Sequence, residues 1–268
     1  MKPFTRRASL SLFLTVGCAW AQTVTAPDPR WKSFMDWFSS LSPESFHTGS
    51  ELMMLYRNKL LADGMSAGEA DRIMSFIRDK PPDPAFSQIF WNKHFERKDP
   101  QFKTEPNAFL VEVSSQLTAG TALDFGMGEG RNAIYLALHG WEVTGVDYAP
   151  AGVEKALQRA QRLGVKLNAI VQDVERFDFG RDRWDLVCLM YSPGSDYVHD
   201  FYKRLAASLK VGAYVISEQP YQTPKTLSDQ AAAWGALDLK LLRLEYREER
   251  SDWGQPNFGR LLFRKQKT

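Results

Sequence analysis

The chain has 268 residues, 44% of them hydrophobic and 25% charged, with a formal net charge of +2. That length allows one large core or two small ones, and the balance is that of a soluble globule, not of a disordered or fibrous chain. The two cysteines are Cys18 and Cys188, too few for a disulfide framework.

Residues 1–21 read as an export signal. Lys2, Arg6 and Arg7 make a basic start, Ala8 to Ala19 is short and mostly apolar, and Ala19-Trp20-Ala21 fits a small-residue cleavage site. A bilayer span needs about 20 apolar residues, so this run does not cross one, and no transmembrane helix is expected after cleavage. Thr5-Arg6-Arg7 resembles a twin-arginine signal and Val16-Gly17-Cys18 a lipoprotein site; a plain secretory signal is the expectation. The mature protein is then exported or periplasmic, and cytoplasmic if the signal is unused. The signal takes three cations and no acids with it, so the net charge moves from +2 to −1. The remainder makes no electrostatic case for a nucleic-acid partner. With Cys18 gone, Cys188 stands alone in Leu186-Val187-Cys188-Leu189-Met190, where it reads as a small core hydrophobe.

Residues 22–30 read as a flexible lead and 31–80 as a helical subdomain. A helix is expected over 51–61. Ser66-Ala67-Gly68-Glu69 is a capping box, followed by Ala70, Ile73, Met74 and Ile77 on one helical face. Pro81-Pro82-Asp83-Pro84 ends this region, and 81–104 is expected to be a connector carrying Phe90-Trp91-Asn92-Lys93-His94-Phe95. Alternation begins at Glu105. Helices are expected over 106–117, 130–139 and 196–208, with another opened by Pro150. Strands are expected at 121–125, 141–146, 165–171, 184–190 and 213–218, the last after a turn at Lys210-Val211-Gly212. Leu239–Tyr246 and Phe258–Phe263 supply two late strands. The fold class is therefore α/β: a doubly wound, mostly parallel, seven-stranded Rossmann-like sheet with an N-terminal helical subdomain. The domains are a signal (1–21), a helical region with its connector (22–104), and a nucleoside-cofactor domain (105–268).

The informative stretch is Asp124-Phe125-Gly126-Met127-Gly128-Glu129-Gly130-Arg131-Asn132, followed by Val143-Thr144-Gly145-Val146-Asp147. A strand enters a glycine turn that lets the backbone approach a ligand, a helix opens with free N–H groups, and a second strand ends in an acid suited to a ribose diol. A dinucleotide turn reads G-x-G-x-x-G; here the third glycine, Gly130, comes one residue early.

That G-x-G-x-G turn with Asp124 before it resembles the first motif of class I S-adenosylmethionine (SAM) methyltransferases. The wording through Ala137 looks most like the small-molecule, tellurite-resistance and thiopurine branch. The resemblance implies that Gly126, Gly128 and Gly130 lie against the methionine part of SAM, that Asp147 binds the ribose, and that Asp173 sits beside the adenine amino group. Asp124, Arg131, Asn132, Tyr148 and Val174 are counted with the same cofactor site. Met190-Tyr191-Ser192-Pro193, just past strand four, would face donor and acceptor, making Tyr191 the candidate catalytic residue and Tyr197 a substrate-side candidate. Trp91 would belong to an aromatic cover over SAM; an ordinary aromatic core between two subdomains is the other reading of that segment. Glu129 and Arg131 read as a solvated pair, with Arg131 also in reach of the SAM carboxylate. Glu218 is a weaker candidate at the end of strand five. The turn before strand five departs from the family's Leu-Lys-Pro-Gly-Gly, reading Leu209-Lys210-Val211-Gly212-Ala213.

Methyl transfer from a sulfonium is an in-line displacement that asks for alignment and exclusion of water. No metal is expected. The partner is a small-molecule methyl acceptor, and nothing in the sequence ranks thiols, metalloid oxyanions or small aromatics. The alternatives are a non-catalytic nucleoside-binding protein on the same fold and a nicotinamide-dependent oxidoreductase.

Overall fold

The computed structural model describes residues 27–81, 83–98, 103–173, 176–192, 200–221, 223–251 and 257–267; the signal lies outside them. The N-terminal helices are α1 (Pro29–Ser40), α2 (Gly49–Ala62), α3 (Ala67–Arg78) and α4 (Pro84–Glu96). Each starts on a side-chain cap that satisfies orphan N–H groups: Asp28, Thr48, Ser66 and Asp83. The capping box at Ser66 and Glu69 is present. Phe34, Phe38, Phe46, Leu52, Tyr56 and Met74 pack as this module's own core.

The connector is a correction. Pro81 to Pro84 does end one helix, but Asp83 caps the next and Pro84 takes its first position, where proline's missing N–H costs nothing. The lead is shorter than expected as well, because α1 already begins at Pro29.

Helix α5 (Ala108–Ser114) leads into β1 (Thr121–Phe125), α6 (Arg131–Leu138), β2 (Glu142–Asp147), α7 (Pro150–Arg162), β3 (Asn168–Val171), β4 (Trp184–Met190), α8 (Asp200–Ser208), β5 (Leu209–Pro220), α9 (Pro224–Gly235), β6 (Leu239–Arg247) and β7 (Phe258–Lys265). These strands form one seven-stranded sheet in the order β3-β2-β1-β4-β5-β7-β6. β1 to β5 pair in parallel, and β7 runs antiparallel between β5 and β6. Side chains alternate across a strand, so one face buries Leu123, Phe125, Val187, Leu189 and Val215 and the other Ala122, Leu186, Cys188 and Ile216. Helices cover both faces, which is the doubly wound arrangement.

Two further differences concern β5 and α9. The expected turn at Lys210-Val211-Gly212 is part of β5: Leu209 already pairs with Trp184, and the register shifts between Trp184 and Leu186. Gly212 has φ +86°, so the glycine makes an irregularity inside the strand, not its start. Helix α9, capped by Thr223 and opened by Pro224, had no counterpart among the expected elements.

Helix α4 joins the two parts of the chain. On one side Lys93 Nζ donates to the carbonyls of Ser39 (3.1 Å) and Leu41 (2.6 Å), and Arg97 Nη1 to those of Pro43 (3.0 Å) and Phe46 (2.7 Å). On the other, Gln88 Nε2 donates to Tyr148 O and Asn92 Oδ1 accepts from Ala151 N, both at 2.9 Å. Buried charged groups persist only where their donors are used. Lys93 and Arg97 are both buried, and they use theirs on backbone carbonyls of the helical module.

Candidate active site

The candidate site gathers at the carboxyl ends of β2, β1, β4 and β5, where open α/β sheets place ligands. After Phe125 the chain turns through Gly126, Gly128 and Gly130, with φ of +76°, +54° and +76°. The amides of Gly126 and Met127 both donate to Val146 O, at 2.8 and 3.1 Å, stapling the turn to the end of β2. Space demands glycine as well as conformation. A methyl group on Gly130 would lie 2.8 Å from Ala156 Cβ, and one on Gly128 would lie 3.0 Å from Phe95 Cζ. Phe95 is wedged between the loop and α7, because a methyl on Gly152 would also meet it, at 2.9 Å.

Asp147 ends β2 and is buried. Its Oδ2 accepts from Gly128 N and its Oδ1 from Ala149 N, both at 2.9 Å. Each carboxylate oxygen can accept more than one bond, so the acid grips the loop with acceptor capacity to spare. Burial pushes its carboxyl upward, while the amides of Ala149, Gly128 and Tyr148 oppose that rise. Asp124 is buried at the end of β1, and its Oδ2 is a buried oxygen with no hydrogen-bond partner. Burial pushes its carboxyl up to about 7, against the Ala133 amide and the Arg131 charge and with help from Asp147. A buried acceptor left over at the base of a glycine loop suits a ligand that brings donors.

Tyr148 and Asp173 line one cleft of about 230 Å³ together with Arg176 and with Ser87 and Gln88 of α4. Tyr191 follows β4 with φ +54°; its amide donates to Glu218 O at 2.9 Å and its hydroxyl to Glu218 Oε1. One expectation needs correction, and other predicted residues have the partners given after it. Glu129 and Arg131 do not pair: Glu129 meets Lys155 Nζ at 2.9 Å and Arg131 Nη1 donates to Glu105 O at 3.2 Å. Asn132 is buried and its Oδ1 accepts from Asn107 N at 2.9 Å, so it holds the start of α5. Trp91 packs on Phe90, His94 and Phe95, with centroids 5.5, 5.7 and 6.3 Å away; among these rings Phe95 is the one against Gly128. Val174, Pro193 and Tyr197 lie outside the described residues. Cys188 is buried in β4 and its thiol is pushed well up by burial, as a core residue's would be.

Sequence reasoning missed Asn107 and Arg260. Asn107 Nδ2 and Arg260 Nε both reach Glu218, each at 2.7 Å. Asn107 carried one signal: it stands as an N-cap before the apolar run of α5.

Residues 122–212 match the family model described as a methyltransferase domain. Over that stretch the chain is similar to a methyltransferase domain. The chain is 27% identical over 118 residues to a ubiquinone biosynthesis O-methyltransferase of Rickettsia conorii, covering 44% of this chain and 41% of that protein. It is 44% identical over 66 residues to a SAM-dependent Diels-Alderase of Talaromyces variabilis, covering 24% and 22%. The chain thus spans less than half the length of these curated relatives. Among solved structures, magnesium protoporphyrin IX methyltransferase from Synechocystis, determined with bound SAM, aligns with a TM-score of 0.53 at 18% identity over 70% of this chain and 99% of that one. The turn, the two buried acids and the unpartnered Asp124 Oδ2 fit a nucleoside cofactor such as SAM chemically.

Proposed function

We propose that this chain transfers the methyl group of SAM to a small-molecule acceptor by in-line displacement. The bond pair from the Gly128 and Ala149 amides to Asp147 carries the reading. It holds a close-approach backbone and a buried carboxylate at one edge, as a ribose beside a methionine tail requires. When bound, SAM supplies an already activated methyl group on a sulfonium. The chain's part is to align and to exclude water. Asp147 accepts from the ribose hydroxyls, Asp173 and Tyr148 flank the base, the glycine turn lies along the methionine tail, and Tyr191 faces the acceptor. Calorimetric titration with SAM, S-adenosylhomocysteine and NAD(H) tests this reading, with SAM and S-adenosylhomocysteine expected to bind. Tight NAD(H) binding with none of the other two refutes it.

A second reading, in which the nucleoside is bound without transfer, is favoured by the match to a relative named as a Diels-Alderase. Binding of SAM with no labelled methyl moved to any acceptor in a broad screen would select it. We also propose that residues 1–21 direct export. Sequencing the mature N-terminus from cell fractions tests this, with Gln22 expected first and an intact Met1 in the cytosol as the refuting result.

A further inference from the structure

Helix α4 lies outside residues 122–212, the stretch that matches the family model, yet it reaches the candidate site along one whole face. Residues three and four apart are neighbours on a helix surface, and Gln88, Asn92 and Phe95 follow that spacing. Gln88 Nε2 donates to Tyr148 O and Asn92 Oδ1 accepts from Ala151 N, both at 2.9 Å, while Phe95 abuts Gly128. A helix rises 1.5 Å per residue, so Gln88 and Phe95 stand about 10 Å apart. The face therefore runs from the glycine turn to the cleft at the ends of β2 and β3. Lys93 and Arg97, on the opposite side of α4, are tied to carbonyls of the helical module. Gln88 is thus presented to the cleft by that module. The cleft, lined in part by Ser87, Gln88, Tyr148, Asp173 and Arg176, holds about 230 Å³. Sites for whole small molecules run from about 300 to 1,000 Å³, so this one suits a flat part of a ligand, such as a purine ring.

The Gln88 amide has a fixed orientation. Tyr148 O can only accept, so the amide nitrogen faces it and the amide oxygen takes the other corner. No donor among the described residues reaches Gln88 Oε1, although the side chain lines the cleft. We infer that Gln88 is a specificity-determining residue for the cofactor: its Oε1 accepts from the exocyclic amino group of the purine, so that the helical module reads the base together with the sheet. The inference rests on the reading of this chain as a SAM binder, with the base beside Tyr148 and Asp173. An exocyclic amino group brings two N–H donors, one for Asp173 and one for Gln88. A 6-oxo purine brings a lone pair there instead and leaves the amide oxygen facing another acceptor, a mismatch that a hydrogen-bonding site rejects. The bond to Tyr148 O holds the amide in place before the ligand arrives, which lowers the cost of ordering it.

Calorimetry on the full chain compares S-adenosylhomocysteine with S-inosylhomocysteine, in which a 6-oxo group replaces the amino group. The wild type is expected to prefer the adenosyl compound, and in Gln88→Ala that preference is expected to fall about tenfold. Gln88 is exposed, so the variant keeps the core intact. Asn92→Ala cuts the other polar tie of this face and is the control: it should weaken both ligands alike and leave their ratio unchanged. The 15N-labelled wild type gives a second readout, with the Gln88 side-chain amide assigned by its absence in Gln88→Ala. That resonance is expected to move on saturation with S-adenosylhomocysteine. A Gln88→Ala protein that loses affinity for both ligands equally, or for neither, overturns the proposal, and so does an unmoved Gln88 resonance. Each of these results leaves the SAM reading standing, because the wild type still binds S-adenosylhomocysteine. A wild type that binds neither SAM nor S-adenosylhomocysteine overturns the reading beneath the proposal.

Discussion

Replacing Asp124 with asparagine turns its burial into a measurable pH slope. Asp124 has an ordinary value of 3.8 and is pushed to about 7 by burial. The native state therefore holds this proton more tightly than the unfolded chain does. Its contribution to stability is fully present below 3.8 and is lost as pH rises through 7. Each pKa unit is about 1.4 kcal/mol, so the slope between those limits adds up to about 4 kcal/mol. Asparagine keeps an acceptor for the Ala133 amide but cannot titrate. Asp147 is also pushed up by burial, but it is present in both proteins and largely cancels in the difference. Urea unfolding of wild type and Asp124→Asn from pH 4 to pH 8 is the assay. The difference should move by about 4 kcal/mol in favour of the variant as pH rises, or roughly 10 °C in melting temperature for a chain of this size. A difference flat across that range would refute the claim that burial governs this carboxyl.

Asp147→Ala removes the acid that holds Gly128 and Ala149; with hydrogen bonds to a charged group at about 1.5–3 kcal/mol each, calorimetry should show S-adenosylhomocysteine affinity falling at least about tenfold. Gly128→Ala forces a side chain into φ +54° and against Phe95. It should cost about 1–3 kcal/mol in urea unfolding, and it should weaken cofactor binding. Phe95→Ala opens a hole between the loop and α7 and should cost about 3–5 kcal/mol, with faster amide exchange in α4. A cost under about 1 kcal/mol would mean that the wedge does not hold the two parts together.

The loop and its acids were readable because their causes are local. A turn with three positive φ values asks for glycine, and an acid at a strand end lies at the sheet's carboxyl edge whatever the rest of the chain does. Helix α4 was not readable. Its buried Lys93, His94 and Phe95 face two bodies at once, so no single apolar stripe marks it, and its opening prolines read equally well as a stop. β5 was cut short because Gly212 looks like a turn to a local reading, while pairing with Trp184 carries the strand through it.

Residue order by itself determined the alternating α/β pattern, the N-terminal helices and the glycine loop, since each follows from backbone conformation or periodicity within a few residues. Only the tertiary structure decided what surrounds Tyr191. Glu218, Asn107 and Arg260 come from positions up to 153 residues apart along the chain, and sheet register and the seating of α5 set their meeting. Nothing in the spacing of such residues encodes a buried carboxylate with three donors, because its partners are chosen by which strands lie side by side.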